Sequence, residues 1–157
     1  DDENNTIDKW TPQIDIGIPV LIPGDYVQEL GVRLSLYRRI SNLLNESEIE
    51  SFAAEMIDRF GSLPIEVTNL LDTVAIKRLC LSAGVEKVDA GSKGAVIAFR
   101  HNEFKNTAGL VDFINTQVGT IKIRPDHKLV FMRKWDDAAA RLVGVQYLIK
   151  ELCKIAA

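Results

Sequence analysis

Between Asn45 and Gly61 the apolar residues Ile49, Phe52, Ala53, Met56, Ile57 and Phe60 recur at helical spacing, three and four residues apart. A step of about 100° per residue gathers them on one stripe, and no strand period fits them. Asn45 followed three residues later by Glu48 has the form of a capping box, and Gly61 is a natural stop. A helix with one apolar stripe must press it against another layer. The spacing predicts a helix over 49–60 that buries Phe52, Met56, Ile57 and Phe60, and it requires further elements on either side.

Those elements are legible in outline. Ile14, Ile16, Ile18, Val20 and Ile22 alternate with other residues, the period of a half-buried strand. Pro19 lacks an N–H, so this strand belongs at a sheet edge or breaks there. Val27, Leu30, Leu34, Tyr37, Ile40 and Leu44 return at helical spacing over 25–44, with Gly31 weakening the first part. Pro64 near the start and Gly84 past the end bracket a third helix whose stripe is Ile65, Leu70, Leu71, Val74 and Leu79. Then the pattern changes. Segments 85–90 and 95–100 flank Gly91-Ser92-Lys93-Gly94, and segments 120–124 and 128–133 flank Pro125-Asp126-His127; both read as hairpins. A helix over 107–118 separates them, and Asp136 caps a last helix to about residue 155. The fold class is α+β: an edge strand and three helices over 13–84, packed beside a β-β-α-β-β-α unit over 85–157 with a small antiparallel sheet. Residues 1–12 are polar and read as a linker or cloning remnant, and 13–157 as one domain.

Composition narrows the function classes. Of 157 residues 46% are apolar, enough for a folded core. The formal charge of −3 lacks the basic excess of a protein that grips DNA through phosphates. Cys80 and Cys153 lie among apolar neighbours on predicted helices, as buried thiols of a reducing cytoplasm do. No apolar run approaches the ~20 residues of a membrane span and no signal peptide is legible, so a cytoplasmic location is expected. The chain starts with Asp, which suits a fragment of a longer protein.

Catalytic patterns are weak. No glycine-rich phosphate loop of either common type is present, and Gly91-Ser92-Lys93-Gly94 is better read as a turn. His101 and His127 lack Cys or His neighbours at metal-ligand spacing, so no catalytic residue, cofactor or metal is assigned. An enzyme reading would rest on Asp126-His127. A nucleic-acid reading would rest on Arg33, Arg38, Arg39, Lys77 and Arg78, unless those cations pair with carboxylates inside the domain. Asp136-Asp137 suits a helix start, and Trp135 suits a staple onto the sheet. What stands out is Glu55 and Asp58, three residues apart on the predicted outward side of helix 49–60, with Arg59 near the boundary. A solvated face and an acidic contact for a partner's arginines are both open readings of them.

The string Arg33-Leu34-Ser35-Leu36-Tyr37-Arg38-Arg39-Ile40, followed by Glu55-Met56-Ile57-Asp58-Arg59-Phe60-Gly61-Ser62-Leu63-Pro64, resembles the C-terminal domain of the bacterial transcription-repair coupling factors, the Mfd family. Leu21-Ile22-Pro23-Gly24-Asp25-Tyr26 resembles that domain's entry. The likeness runs from about residue 14 and weakens past 85; Met56 stands where the family usually has Leu. It implies a regulatory, non-enzymatic domain of an ATP-driven DNA translocase. Such a domain packs on a UvrB-like module of the same parent chain, masks the UvrA-binding surface and restrains the motor, and is linked to UvrA and RNA polymerase only through the parent. It also implies that Glu55 and Asp58 face the UvrB-like module. A nucleic-acid-binding accessory domain is the alternative.

Overall fold

A computed structural model describes residues 10–117 and 119–157. Residues 1–9 of the expected linker and Val118, the expected end of helix 107–118, lie outside the described residues. Of the rest of that linker, Trp10 packs beneath the Arg100 guanidinium and Pro12 is buried.

The C-terminal half is a sheet backed by helices. β2 (Val85–Gly91) and β3 (Gly94–Phe99) form the first expected hairpin around Ser92-Lys93. Gly94 has φ +126°, and a Cβ there would collide with the carbonyl oxygen of Phe131 on the next strand, so only glycine closes this corner. After α4 (Thr107–Thr116), β4 (Ile121–Ile123) and β5 (Leu129–Met132) form the second hairpin, and α5 (Ala138–Ala156) follows. Asp137 caps α5, accepting from the Ala140 N–H at 2.7 Å; the cap is one residue later than the expected Asp136. Trp135 is buried against Phe131 and lies so close to Gly144 that any side chain there would strike the indole.

The sheet differs from the expected small antiparallel one in one respect. β1 (Gln13–Asp15) joins it as a parallel edge against β2, giving the order β1-β2-β3-β5-β4. The strand expected over 14–22 is only three residues long. Gly17 turns the chain at φ +69°, with its N–H on Asp15 Oδ1, and Pro19 prevents resumption. Ile16 and Ile22 stay buried while Val20 and Leu21 are exposed, so the alternation does not persist. The Asn69 side chain donates to Pro19 O at 3.1 Å and ties this loop to the third helix.

The N-terminal half comprises α1 (Leu30–Ser41), α2 (Glu46–Phe60) and α3 (Ile65–Ala83). α1 is shorter than its apolar spacing predicted, and Leu44 beyond it is exposed. α3 is one rod serving two cores. Val67 and Leu71 in its first half meet Leu36, Ile40, Phe52 and Met56. Ile76, Cys80 and Ala83 in its second half meet Ile97, Leu129, Leu148 and Leu152. A helix pressed from two directions has no single stripe. Of the five expected residues only Leu71 is fully buried; Leu70, Val74 and Leu79 are half-buried and Ile65 is exposed.

Candidate protein-docking face

The capping box at the start of α2 forms. Asn45 Oδ1 accepts from the Glu48 N–H at 2.8 Å, and Glu48 reaches back to the Leu44 N–H at 2.6 Å. At the other end the Tyr26 hydroxyl donates to Gly61 O at 2.7 Å, and its ring packs on Phe60 at 5.8 Å. Phe52 and Met56 are buried, but Phe60 is only half-buried and Ile57 is 50% exposed. The predicted burial of Ile57 fails because the core beneath α2, built by α1 and α3, is narrower than the apolar stripe. α2 is thus a rigid rod held at both ends, and its far side faces solvent.

The two singled-out acids have different surroundings on that rod. Asp58 is exposed and lies on one line with Ser47, Ser51 and Ala54, all exposed and all small. A flat partner could approach the backbone closely there and reach the carboxylate. Glu55 lies at the border with α1. Arg39 grips it with both Nη atoms, at 2.6 and 2.8 Å, and Arg59 Nη1 adds a third bond at 3.0 Å. Arg39 also lies over the Phe52 ring at 5.0 Å and Arg59 over the Phe60 ring at 4.8 Å. The hydrogen bonds from Arg39 and then Arg59 hold the Glu55 carboxyl down at about 2. Arg39 and Arg59 complete the cluster around Glu55, and sequence reasoning did not assign them to it. The four-residue spacing of Glu55 and Arg59 signals their pairing. Nothing local signals Arg39, because only the packing of α1 on α2 brings it across.

The other candidate constellations are placed less favourably. Asp126 pairs with Arg124, which pulls its carboxyl down to about 2, and His127 is exposed in the left-handed region at φ +67°. His127 and Glu103 rim an open groove of about 430 Å³ with a mainly apolar lining. Arg33 donates to the Val27 and Gln28 carbonyls and Arg39 is bound by Glu55, so two of the proposed nucleic-acid contacts serve the domain's own structure. Both cysteines are free thiols. Burial, with Cys153 nearby, pushes Cys80 up to about 12, and the Cys153 thiol donates to Leu79 O. Among the described residues no group of three or more His, Cys, Asp or Glu is placed to hold a metal, and no helix is long and apolar enough to cross a membrane.

Fold and site together define an α+β domain that presents a charged helix face. The TRCF domain model matches residues 16–110, and the chain belongs to that family. It is 48% identical over 128 residues to the transcription-repair-coupling factor of Rickettsia conorii, covering 82% of this chain and 11% of that protein. It is 29% identical over 140 residues to that of Escherichia coli, covering 89% and 12%. The chain therefore spans about a tenth of the length of these curated relatives. The fold matches a crystal structure of a C-terminal domain of transcription-repair coupling factor with a TM-score of 0.73, at 21% identity, covering 94% of this chain and 96% of that one.

Proposed function

We propose that this domain regulates a transcription-repair coupling factor by docking the outer face of α2 on a UvrB-like module of the same parent chain. In the docked state it covers the surface that UvrA would bind and restrains the parent's ATP-driven translocase. The observation carrying this reading is Asp58: an exposed carboxylate, with no ion pair among the described residues, at the end of a line of small residues on a helix held at both ends. A rigid acid loses little entropy on meeting a partner's arginine fork. Glu55 stands beside it on the same face. Three N–H groups already occupy its carboxylate, so Asp58 carries the larger share of the contact. The parent acts in the cytoplasm, and links to UvrA and RNA polymerase run through its other domains.

The test uses the full-length parent. Asp58→Arg sets like charge against a basic partner patch, and should raise UvrA binding and basal ATPase activity while the domain stays folded. A well-folded variant with unchanged UvrA binding and ATPase would return Asp58 to a solvated helix face. Tight, salt-resistant DNA binding by the isolated domain would favour the nucleic-acid reading instead.

A further inference from the structure

Besides α3, one stretch of chain reaches both cores. Ile16 is buried in the core built on the sheet, and Ile22 in the core beneath α2. Between them the chain is neither helix nor strand, and Val20 and Leu21 are exposed. Its ties run from side chains to backbone. Arg141 Nη1 on α5 donates to Ile16 O at 3.1 Å, and Asn69 Nδ2 on α3 donates to Pro19 O at 3.1 Å. The Tyr37 hydroxyl on α1 accepts from the Ile22 N–H at 2.7 Å. Upstream, β1 adds three residues at the sheet edge, and Trp10 packs beneath Arg100.

The place this stretch crosses is the weakest in the fold. Among the described residues the buried polar ones are Asn69 and Thr73, one turn apart on α3 where the two cores meet. The Thr73 hydroxyl donates back to Asn69 O at 2.8 Å. The seam is also loosely packed: a cleft of about 500 Å³ opens there between α2 and α5, bordered by Leu71, Asp72 and Ala75 of α3. Arg141 holds its end with the neutral carbonyls of Ile16 and Trp135, and its buried Nε has no hydrogen-bond partner. A buried donor left unmade costs free energy that is recovered once water reaches it.

We propose that residues 10–22 form a strap that lifts as one unit while both cores stay folded. Closed, it clasps the helical half that carries α2 to the sheet half. Lifted, it bares the edge of β2 and leaves the two halves joined through α3, with the polar pair Asn69 and Thr73 at the joint. Units that open below the global unfolding transition are those with few apolar contacts and many bonds near solvent, as here.

Native-state hydrogen exchange of this 157-residue chain, read amide by amide by NMR in low urea, tests the strap. Ile22 and the bonded amides of β1 should exchange at least about tenfold faster than those of β3 and β5, with weak urea dependence until global unfolding takes over. Tyr37→Phe removes an acceptor from Ile22 alone, in the core beneath α2. It should nevertheless speed the β1 amides, at the other core, together with Ile22, by about three- to tenfold, the size of one net hydrogen bond. β3 and β5 should stay nearly unchanged. Acceleration confined to Ile22 would overturn the single unit. Equal rates and equal urea dependence for strap, β3 and β5 in the wild type would mean that it opens only with the whole fold, and would overturn the proposal outright. Should Tyr37→Phe destabilise the whole chain, that wild-type urea profile decides by itself.

Discussion

Glu55 and Asp58 are separated by less than one helical turn, yet replacing each with arginine should have very unequal consequences for stability. Glu55→Arg removes the two-pronged bond from Arg39 and the bond from Arg59. Half-exposed ion pairs contribute ~0.2–1 kcal/mol each. The new guanidinium also enters a space already shared by two others. Each such contact at about 4 Å costs ~1 kcal/mol at the dielectric of water, part of it relieved as the side chains swing away. The sum is about 1–3 kcal/mol. For a domain of this size that corresponds to a fall in Tm of about 3–10 °C. Asp58 makes no side-chain bond among the described residues, so Asp58→Arg should stay within ~0.5 kcal/mol, or under about 2 °C. Calorimetric melts of wild type and the two variants, with van't Hoff and calorimetric enthalpies compared, measure both. Equal melting temperatures for the two variants would refute the triad as an internal support. A loss confined to Asp58→Arg would invert the assignment. The comparison also decides which substitution is a clean functional probe, since a destabilised Glu55→Arg domain would release a docked partner for the wrong reason.

Three further outcomes follow from the same structure. Because folding lowers the Glu55 carboxyl from 4.5 to about 2, its contribution is present above about pH 4.5 and lost as pH falls toward 2; the gap in denaturant midpoint between wild type and Glu55→Gln should therefore narrow from pH ~6 to pH ~3, and a constant gap would contradict this. Phe52→Ala should cost about 3–5 kcal/mol and Ile57→Ala under about 1 kcal/mol, and comparable losses in urea unfolding would show that Ile57 is core after all. Gly144→Val should displace Trp135 at a cost of about 1–3 kcal/mol, with a changed tryptophan fluorescence spectrum; unaltered stability and emission would mean the indole does not rest on this glycine.

Sequence patterns carried much of this fold because several signals agreed at one place. Asn45, Glu48 and Gly61 bounded α2, and the residues around Ser92-Lys93 bounded the first hairpin. Patterns misled where tertiary packing outweighed local period. The alternation over 14–22 met a left-handed Gly17 and ended after three residues. The α3 stripe blurred because two cores press on one helix. At the candidate site, the 100° step put Asp58 outside and Phe52 inside correctly, yet it set Glu55 facing outward when α1 lies beside it. Arg39 comes from 16 residues earlier, and no periodicity within α2 encodes it.

The central claim is that the Ser47–Ser51–Ala54–Asp58 line meets another module of the parent, and proximity labelling tests it most directly. A photo-crosslinking amino acid at Ala54 sits in the middle of that line, while the same group at Val143 on α5, 64% exposed and in the other half of the fold, is the control. In the full-length parent without UvrA, the account predicts that Ala54 crosslinks to the UvrB-like module and Val143 does not. Adding UvrA should diminish the Ala54 crosslink, since the docked and UvrA-bound states exclude one another. A crosslink from Val143 with none from Ala54 would contradict the account.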